Sequence, residues 1–144
     1  MLVKQILNAK PDQSVISVTP DSDVAEATQL LSQKRIGTVV VSADGASLDG
    51  ILSERDIVRE LGKRGTKCLS EPVSGLMTKK LVTCGPGDSA DAVLGMMTKG
   101  RFRHLPVMEN GKMIGLISIG DVVKARLAEL SMEKDALEGM IMGH

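Results

Sequence analysis

The sequence predicts an α/β chain (α+β in its local order), built as two repeats of strand–helix–strand–strand–helix packed about a pseudo-twofold axis. Three observations carry this expectation. The segment from Val15 to Val41 recurs as Leu81 to Val107, so that Ser17 meets Thr83, Pro20 meets Pro86, Arg35 meets Arg101 and Val41 meets Val107. After a turn that is one residue shorter, Gly50-Ile-Leu-Ser-Glu-Arg-Asp56 meets Gly115-Leu-Ile-Ser-Ile-Gly-Asp121. A single-residue deletion is tolerated in a loop and not in a strand, where it would turn every following side chain to the other face. Within each copy, short β-rich runs alternate with stretches of helical apolar spacing.

The elements follow in order. Val15 to Val18 is a β-rich run stopped by Pro20. Asp23, three residues before Glu26, marks a helix N-terminus. Val24, Ala27, Leu30 and Leu31 then recur at helical spacing, as Ala90, Val93, Met96 and Met97 do in the second copy. The runs 38–41 and 104–107 read as strands. They lead through the turns at 42–47 and 109–112, the second an Asn-Gly hairpin signal, into strands 48–52 and 113–117. Helices begin near Ser53 and Ser118. The expected boundaries are repeat 1 at 1–68 with an N-terminal helix or strand, repeat 2 at 69–130, and a helical tail at 131–144. Glu71 to Gly75 is read as the linker. A unit of ~60 residues buries a small share of its surface, so a core shared by the two repeats is expected. On the helix expected to run on from Ala125, Leu127, Leu130 and Leu137 are placed to pack on the body or on a partner chain.

Composition narrows the function. Hydrophobic residues make up 42% and charged residues 25%, as in ordinary globular proteins. Phe102 is the one aromatic residue, which excludes the stacking platforms of single-strand nucleic-acid binders. Lys plus Arg and Asp plus Glu balance at 18 each, so there is no basic field for a nucleic-acid partner. No run approaches the ~20 apolar residues of a membrane span, and MLVKQILNAK is not read as a secretory leader. A cytoplasmic, soluble protein with no membrane partner is expected. Cys68, Cys84, His104 and His144 lack metal-ligand spacing, so no metal is expected and the thiols are read as buried and free.

Two constellations stand at matching places, Ser53-Glu54-Arg55-Asp56 and Ser118-Ile119-Gly120-Asp121. A Ser followed three residues later by an acid is a capping-box pattern, which alone would assign both residues to helix capping. The box favours the longer Glu or Gln in its last place, however, and both copies carry Asp. Both also sit where an apolar strand ends at a helix N-terminus, which favours a bound anion. A ribose diol can donate twice to a carboxylate, with a Ser hydroxyl beside it. Capping and binding remain compatible for Ser.

The tandem order, the twice-repeated G-h-h-S-x-x-D ending and the stretch Arg-Phe-Arg-His-Leu-Pro-Val at 101–107 resemble a stand-alone pair of CBS domains, a Bateman module, over roughly residues 3–128. The resemblance implies that Asp56 and Asp121 hold ribose hydroxyls of an adenosine ligand in clefts between the repeats, with Ser53 and Ser118 beside the sugar or phosphate. It implies that Ile51 and Leu116 line the adenine slot, and that adenine is read by backbone near Ser17 and Thr83. Phosphate would fall to Arg101, Arg103, His104 and Arg55. Arg101 and Arg103 could equally be solvated, and His104 could be a structural histidine. The first repeat has Gly37 and Thr38 where the second has Arg103 and His104, so the two sites are expected to differ.

The expected function is that of a regulatory sensor binding AMP, ADP, ATP or NAD(H), without catalytic cofactor or enzymatic activity. It would signal through conformation or dimer geometry, as a homodimer or on a regulated partner protein. No nucleophile–base pair or paired carboxylates stand out for an enzyme. The alternative is a ligand-free scaffold dimer acting on a partner.

Overall fold

The computed structural model describes residues 1–12 and 14–141. In chain order the elements are α1 (Val3–Ala9), β1 (Ser17–Val18), α2 (Val24–Lys34), β2 (Thr38–Val41), β3 (Gly50–Ser53) and α3 (Glu54–Arg64). Two 3-10 turns follow at Gly65–Ser70 and Val73–Gly75, then α4 (Ala90–Gly100), β4 (His104–Glu109), β5 (Lys112–Ser118) and α5 (Ile119–Ile141). Contacts divide the described chain into two units, one of residues 14–82 and 110–114, the other of residues 1–12, 83–109 and 115–141.

In the first-repeat unit, β1 pairs parallel with β2 and β2 antiparallel with β3. The core takes Val39 and Val41 from β2, Leu52 from β3, Val24, Ala27 and Leu31 from α2, and Ile57 from α3. Each fully buried valine contributes on the order of 1.5–3 kcal/mol by leaving water. Helix α2 ends at Arg35, whose φ of 54° is left-handed, and the Ile36 N–H closes back on the Leu31 carbonyl at 3.1 Å. Helix α4 ends in the same way at Arg101, with φ 59° and the Phe102 N–H on the Met97 carbonyl at 3.0 Å. The repeated arginine thus marks a repeated helix stop.

The second-repeat unit packs Val93 and Met97 of α4, Leu105 and Val107 of β4, Ile117 of β5 and Val122 of α5 into its own core. Each unit thus has a hydrophobic cluster of its own. The Asn110-Gly111 turn has φ of 53° and 76°, the left-handed pair that an Asn-Gly hairpin requires.

The repeat unit's first strand is reduced in the second copy to one parallel bridge, Cys84 to Val107. The reason is a single residue. In the first repeat the Val40 N–H donates to the Ile16 carbonyl at 3.1 Å, and the Ser42 N–H to the Val18 carbonyl at 2.9 Å. In the second, the Met108 N–H still reaches the Cys84 carbonyl at 2.8 Å. The counterpart of Val40, however, is Pro106, which has no N–H to give.

The N-terminal segment, assigned by sequence to the first repeat, packs in the second-repeat unit. The Val3 N–H donates to the Asp88 carbonyl at 2.9 Å, the Lys4 N–H to Pro86 at 3.1 Å, and Met1 accepts from the Ala90 N–H at 2.9 Å. The segment read as a linker does the same in the first-repeat unit. There the Val73 N–H meets the Ser22 carbonyl at 2.8 Å, the Ser74 N–H meets Pro20 at 3.1 Å, and Glu71 accepts from Val24 at 2.9 Å. Val3-Lys-Gln-Ile-Leu-Asn-Ala-Lys10 and Val73-Ser-Gly-Leu-Met-Thr-Lys-Lys80 are thus a third repeated piece. Val3, Ile6, Val73 and Leu76 are its buried anchors. Each piece precedes one repeat and packs with the other.

Of the tail expected at 131–144, residues up to Ile141 continue α5 without a break, and residues 142–144, with His144, lie outside the described residues.

Candidate ligand site

Strand alternation places the site. In the first-repeat sheet, Ser17 is opposite Val40, Val40 opposite Ile51, and Thr38 opposite Ser53. Val39, Val41 and Leu52 point into the core, so Ser17, Thr38, Ile51 and Ser53 share the other face. An isolated bridge from Ile51 to Thr78 extends that row. In β4 and β5 the core takes Leu105, Val107 and Ile117. Alternation sends His104, Leu116 and Ser118 to the opposite face, as in the first repeat.

Both strand-to-helix junctions carry a closed capping box. The Asp56 N–H donates to Ser53 Oγ at 3.2 Å and the Ser53 N–H to Asp56 Oδ2 at 2.9 Å. The Asp121 N–H donates to Ser118 Oγ at 3.1 Å and the Ser118 N–H to Asp121 Oδ2 at 2.9 Å. The preference of the box for Glu or Gln, weighed against capping in the sequence, is therefore overridden in both copies. With the helix N-terminus drawing the carboxylate in, the shorter arm reaches the cap N–H in both copies. A further bond steadies each junction, from the Glu54 N–H to the Gly37 carbonyl and from the Ile119 N–H to the Arg103 carbonyl, both at 2.8 Å.

The two carboxylates differ in what else holds them. Asp56 is buried, with its side chain 8% exposed. Ser53 Oγ donates to its Oδ2 at 3.0 Å, and Arg59 Nη2 takes its Oδ1 at 2.9 Å. Asp121 is 24% exposed, and its Oδ2 faces Lys10 Nζ at 3.1 Å. Lys10 also donates to the Leu116 carbonyl at 3.0 Å. Among the described residues, Asp121 Oδ1 makes no hydrogen bond. Burial acts to raise the Asp121 pKa, but the Ser118 N–H, the Lys10 ammonium and the Ser118 hydroxyl outweigh it and hold the carboxyl below its ordinary value.

His104 completes this cluster. Burial depresses its pKa, Asp121 opposes that shift, and the Lys10 and Arg103 charges reinforce it. The imidazole thus lies in the field of one carboxylate and two cations. Arg103 is exposed just ahead of β4. The second-repeat unit therefore gathers Arg103, His104, Leu116, Ser118 and Asp121. Arg101 stays apart, exposed on the α4 stop, and Arg55 is exposed on the first turn of α3; neither side chain makes an ion pair among the described residues. Thr83 is exposed beside the Cys84 bridge, and Ser17 is exposed on β1.

Residues 3–63 and 73–128 match the CBS domain. The chain belongs to the CBS domain family. It is 36% identical over 136 residues to the mitochondrial CBS domain-containing protein CBSX3 of Arabidopsis thaliana, covering 92% of this chain and 66% of that one, just under two thirds of its length. The crystal structure of the CBS-domain protein ATU1752 of Agrobacterium tumefaciens superposes with a TM-score of 0.82 at 44% identity, over 88% of this chain and 99% of that one. That of CBSX2 in complex with AMP superposes at 0.73 and 27% identity, over 88% and 96%. The repeats read from sequence are thus a CBS pair.

Sequence reasoning missed Lys10 and Arg59, the two cations nearest the paired acids. Lys10 was legible in the likeness of residues 3–10 to 73–80, which makes Lys80 its counterpart. Arg59 was legible from its position three residues after Asp56, one helical turn on. Among the described residues no group of three or more His, Cys, Asp or Glu is placed to hold a metal ion. No described helix is long and apolar enough to cross a membrane.

Proposed function

We propose that this CBS pair is a regulatory module that binds an adenine nucleotide (AMP, ADP, ATP or NAD(H)), with Asp121 as the principal ribose ligand. The observation that carries this reading is the open Oδ1 of Asp121 beside Ser118, within the cluster of Lys10, Arg103 and His104. A vicinal diol donates to a carboxylate of this kind, and the basic groups suit the phosphate that follows. The AMP complex of CBSX2 supports the choice of ligand. Leu116 is the apolar neighbour suited to the base, and the backbone near Thr83 is suited to reading it.

Asp56, with Ser53, Thr38, Ile51 and the backbone near Ser17, is the corresponding but weaker site. A diol there must first displace Arg59 from Oδ1. The output is a change in conformation or in a homodimer, passed to a regulated partner.

A thermal-shift titration with AMP, ADP, ATP, NAD and NADH tests the reading on the native chain and on Asp56→Ala and Asp121→Ala. A saturable rise that is lost in Asp121→Ala supports it. No shift at millimolar ligand removes it and leaves the serines as helix caps. One observation favours a ligand-independent dimer as the second reading: Leu127, Leu130 and Leu137 of α5 are 63%, 48% and 60% exposed. Concentration-dependent self-association without ligand would support that reading.

A further inference from the structure

Resting on the nucleotide reading above, we propose that Lys10 sets the ligand class of the Asp121 site, selecting phosphorylated nucleotides over free nucleosides. Helix α1 fixes the stem of Lys10 in place. Val3 and Ile6 are buried in the second-repeat core, and Leu7 packs so closely on Gly115 that a Cβ there would lie 2.9 Å from Leu7 Cδ2. Lys10 follows directly at the end of the helix, and its ammonium rests on Asp121 Oδ2 and the Leu116 carbonyl.

Both acceptors belong to the proposed adenosine site. A ribose diol that donates to both oxygens of Asp121, the open Oδ1 and the Oδ2 held by Lys10, therefore competes with an ammonium already there. An uncharged nucleoside displaces that cation and gives it no anion in return. A nucleotide brings a phosphate, to which the same ammonium can turn on its flexible four-carbon stem. Arg103 and His104 lie in the same field, so the displaced charge stays within a basic group of the site. The cost of displacement thus falls on nucleosides and is offset for nucleotides. In the first repeat the cation on the acid is instead Arg59, from α3 itself, one turn after Asp56.

The test is calorimetric titration of AMP and of adenosine into the native chain, Lys10→Met and Asp121→Asn, with the Asp121-dependent component taken as the difference from Asp121→Asn. Met keeps most of the apolar stem and removes the charge, and circular dichroism checks the fold. The native chain is expected to prefer AMP strongly. In Lys10→Met adenosine should bind more tightly and AMP less tightly, so that the AMP-to-adenosine ratio falls by about tenfold or more, the scale of one charge-assisted hydrogen bond. An unchanged ratio overturns the role of Lys10 while leaving the nucleotide reading intact. If neither ligand binds to either chain, the nucleotide reading fails and this inference falls with it.

Discussion

Arg59 Nη2 lies 2.9 Å from Asp56 Oδ1, the carboxylate oxygen whose counterpart on Asp121 has no partner among the described residues. The residue equivalent to Arg59 is Lys124, which is exposed and makes no ion pair with Asp121. Two copies of one motif are thus closed by different cations, one from the following helix turn and one from α1. Arg59→Ala should therefore strengthen nucleotide binding at the first repeat. Calorimetry should show added binding that survives Asp121→Asn; unchanged titrations would show that Arg59 does not guard Asp56.

Acid should weaken the fold in two stages. The His104 pKa is lowered from its ordinary 6.5, so as pH falls below that value the unfolded chain takes a proton before the folded one, and stability declines. The Asp121 pKa is lowered from its ordinary 3.8, so its contribution is present above that value and is lost as pH falls through its lower folded value. Urea unfolding from pH 8 to pH 5 should show the first decline in the native chain and not in His104→Gln.

The paired glycines should respond unequally to a methyl group. At Gly50 a Cβ would meet Met77 Sδ at 2.6 Å and the Thr78 carbonyl oxygen at 3.0 Å, the latter in backbone that pairs with Ile51. At Gly115 the nearest atoms are the ends of Leu7, which can rotate away. Gly50→Ala should cost roughly 1–3 kcal/mol, within the range for overpacking, and Gly115→Ala less. Denaturant midpoints of the two variants measure the difference.

Much of the fold was legible because its repeat is written in residues with strong local meaning: Pro20 and Pro86, the strand apolars, Asn110-Gly111 and the two serines at helix starts. The lost strand in the second repeat was legible too, had Pro106 been set against Val40. What the sequence hid was exchange between distant pieces. Periodicity describes a segment and not its partner, so nothing local to Val3–Ala9 says that it docks beside Asp88 and Ala90. For the same reason the sequence offered Arg55, Arg101 and Arg103 for a phosphate and no cation for Asp121, whose partner, Lys10, stands 111 positions away. Side-chain reach at a helix N-terminus was also misjudged, since Asp closes both capping boxes.

Cys84 should be inert in the folded chain. Burial, followed by the nearby Asp88 charge, pushes its thiol up to about 11. Little thiolate then exists at pH 8, and the thiolate is the reactive form. Alkylation at that pH should leave Cys84 unmodified until denaturant is added, as mass spectrometry of the digested chain would show; rapid native labelling would contradict the buried placement.

The central claim, that Asp121 is the ribose ligand of a nucleotide site, is tested most directly by calorimetric titration of AMP into the native chain and Asp121→Asn. Asn retains an oxygen for the Ser118 N–H and so keeps the helix cap while removing the charge. The account predicts saturable binding to the native chain, weakened at least about tenfold in Asp121→Asn. Equal AMP affinity in the two chains would contradict it.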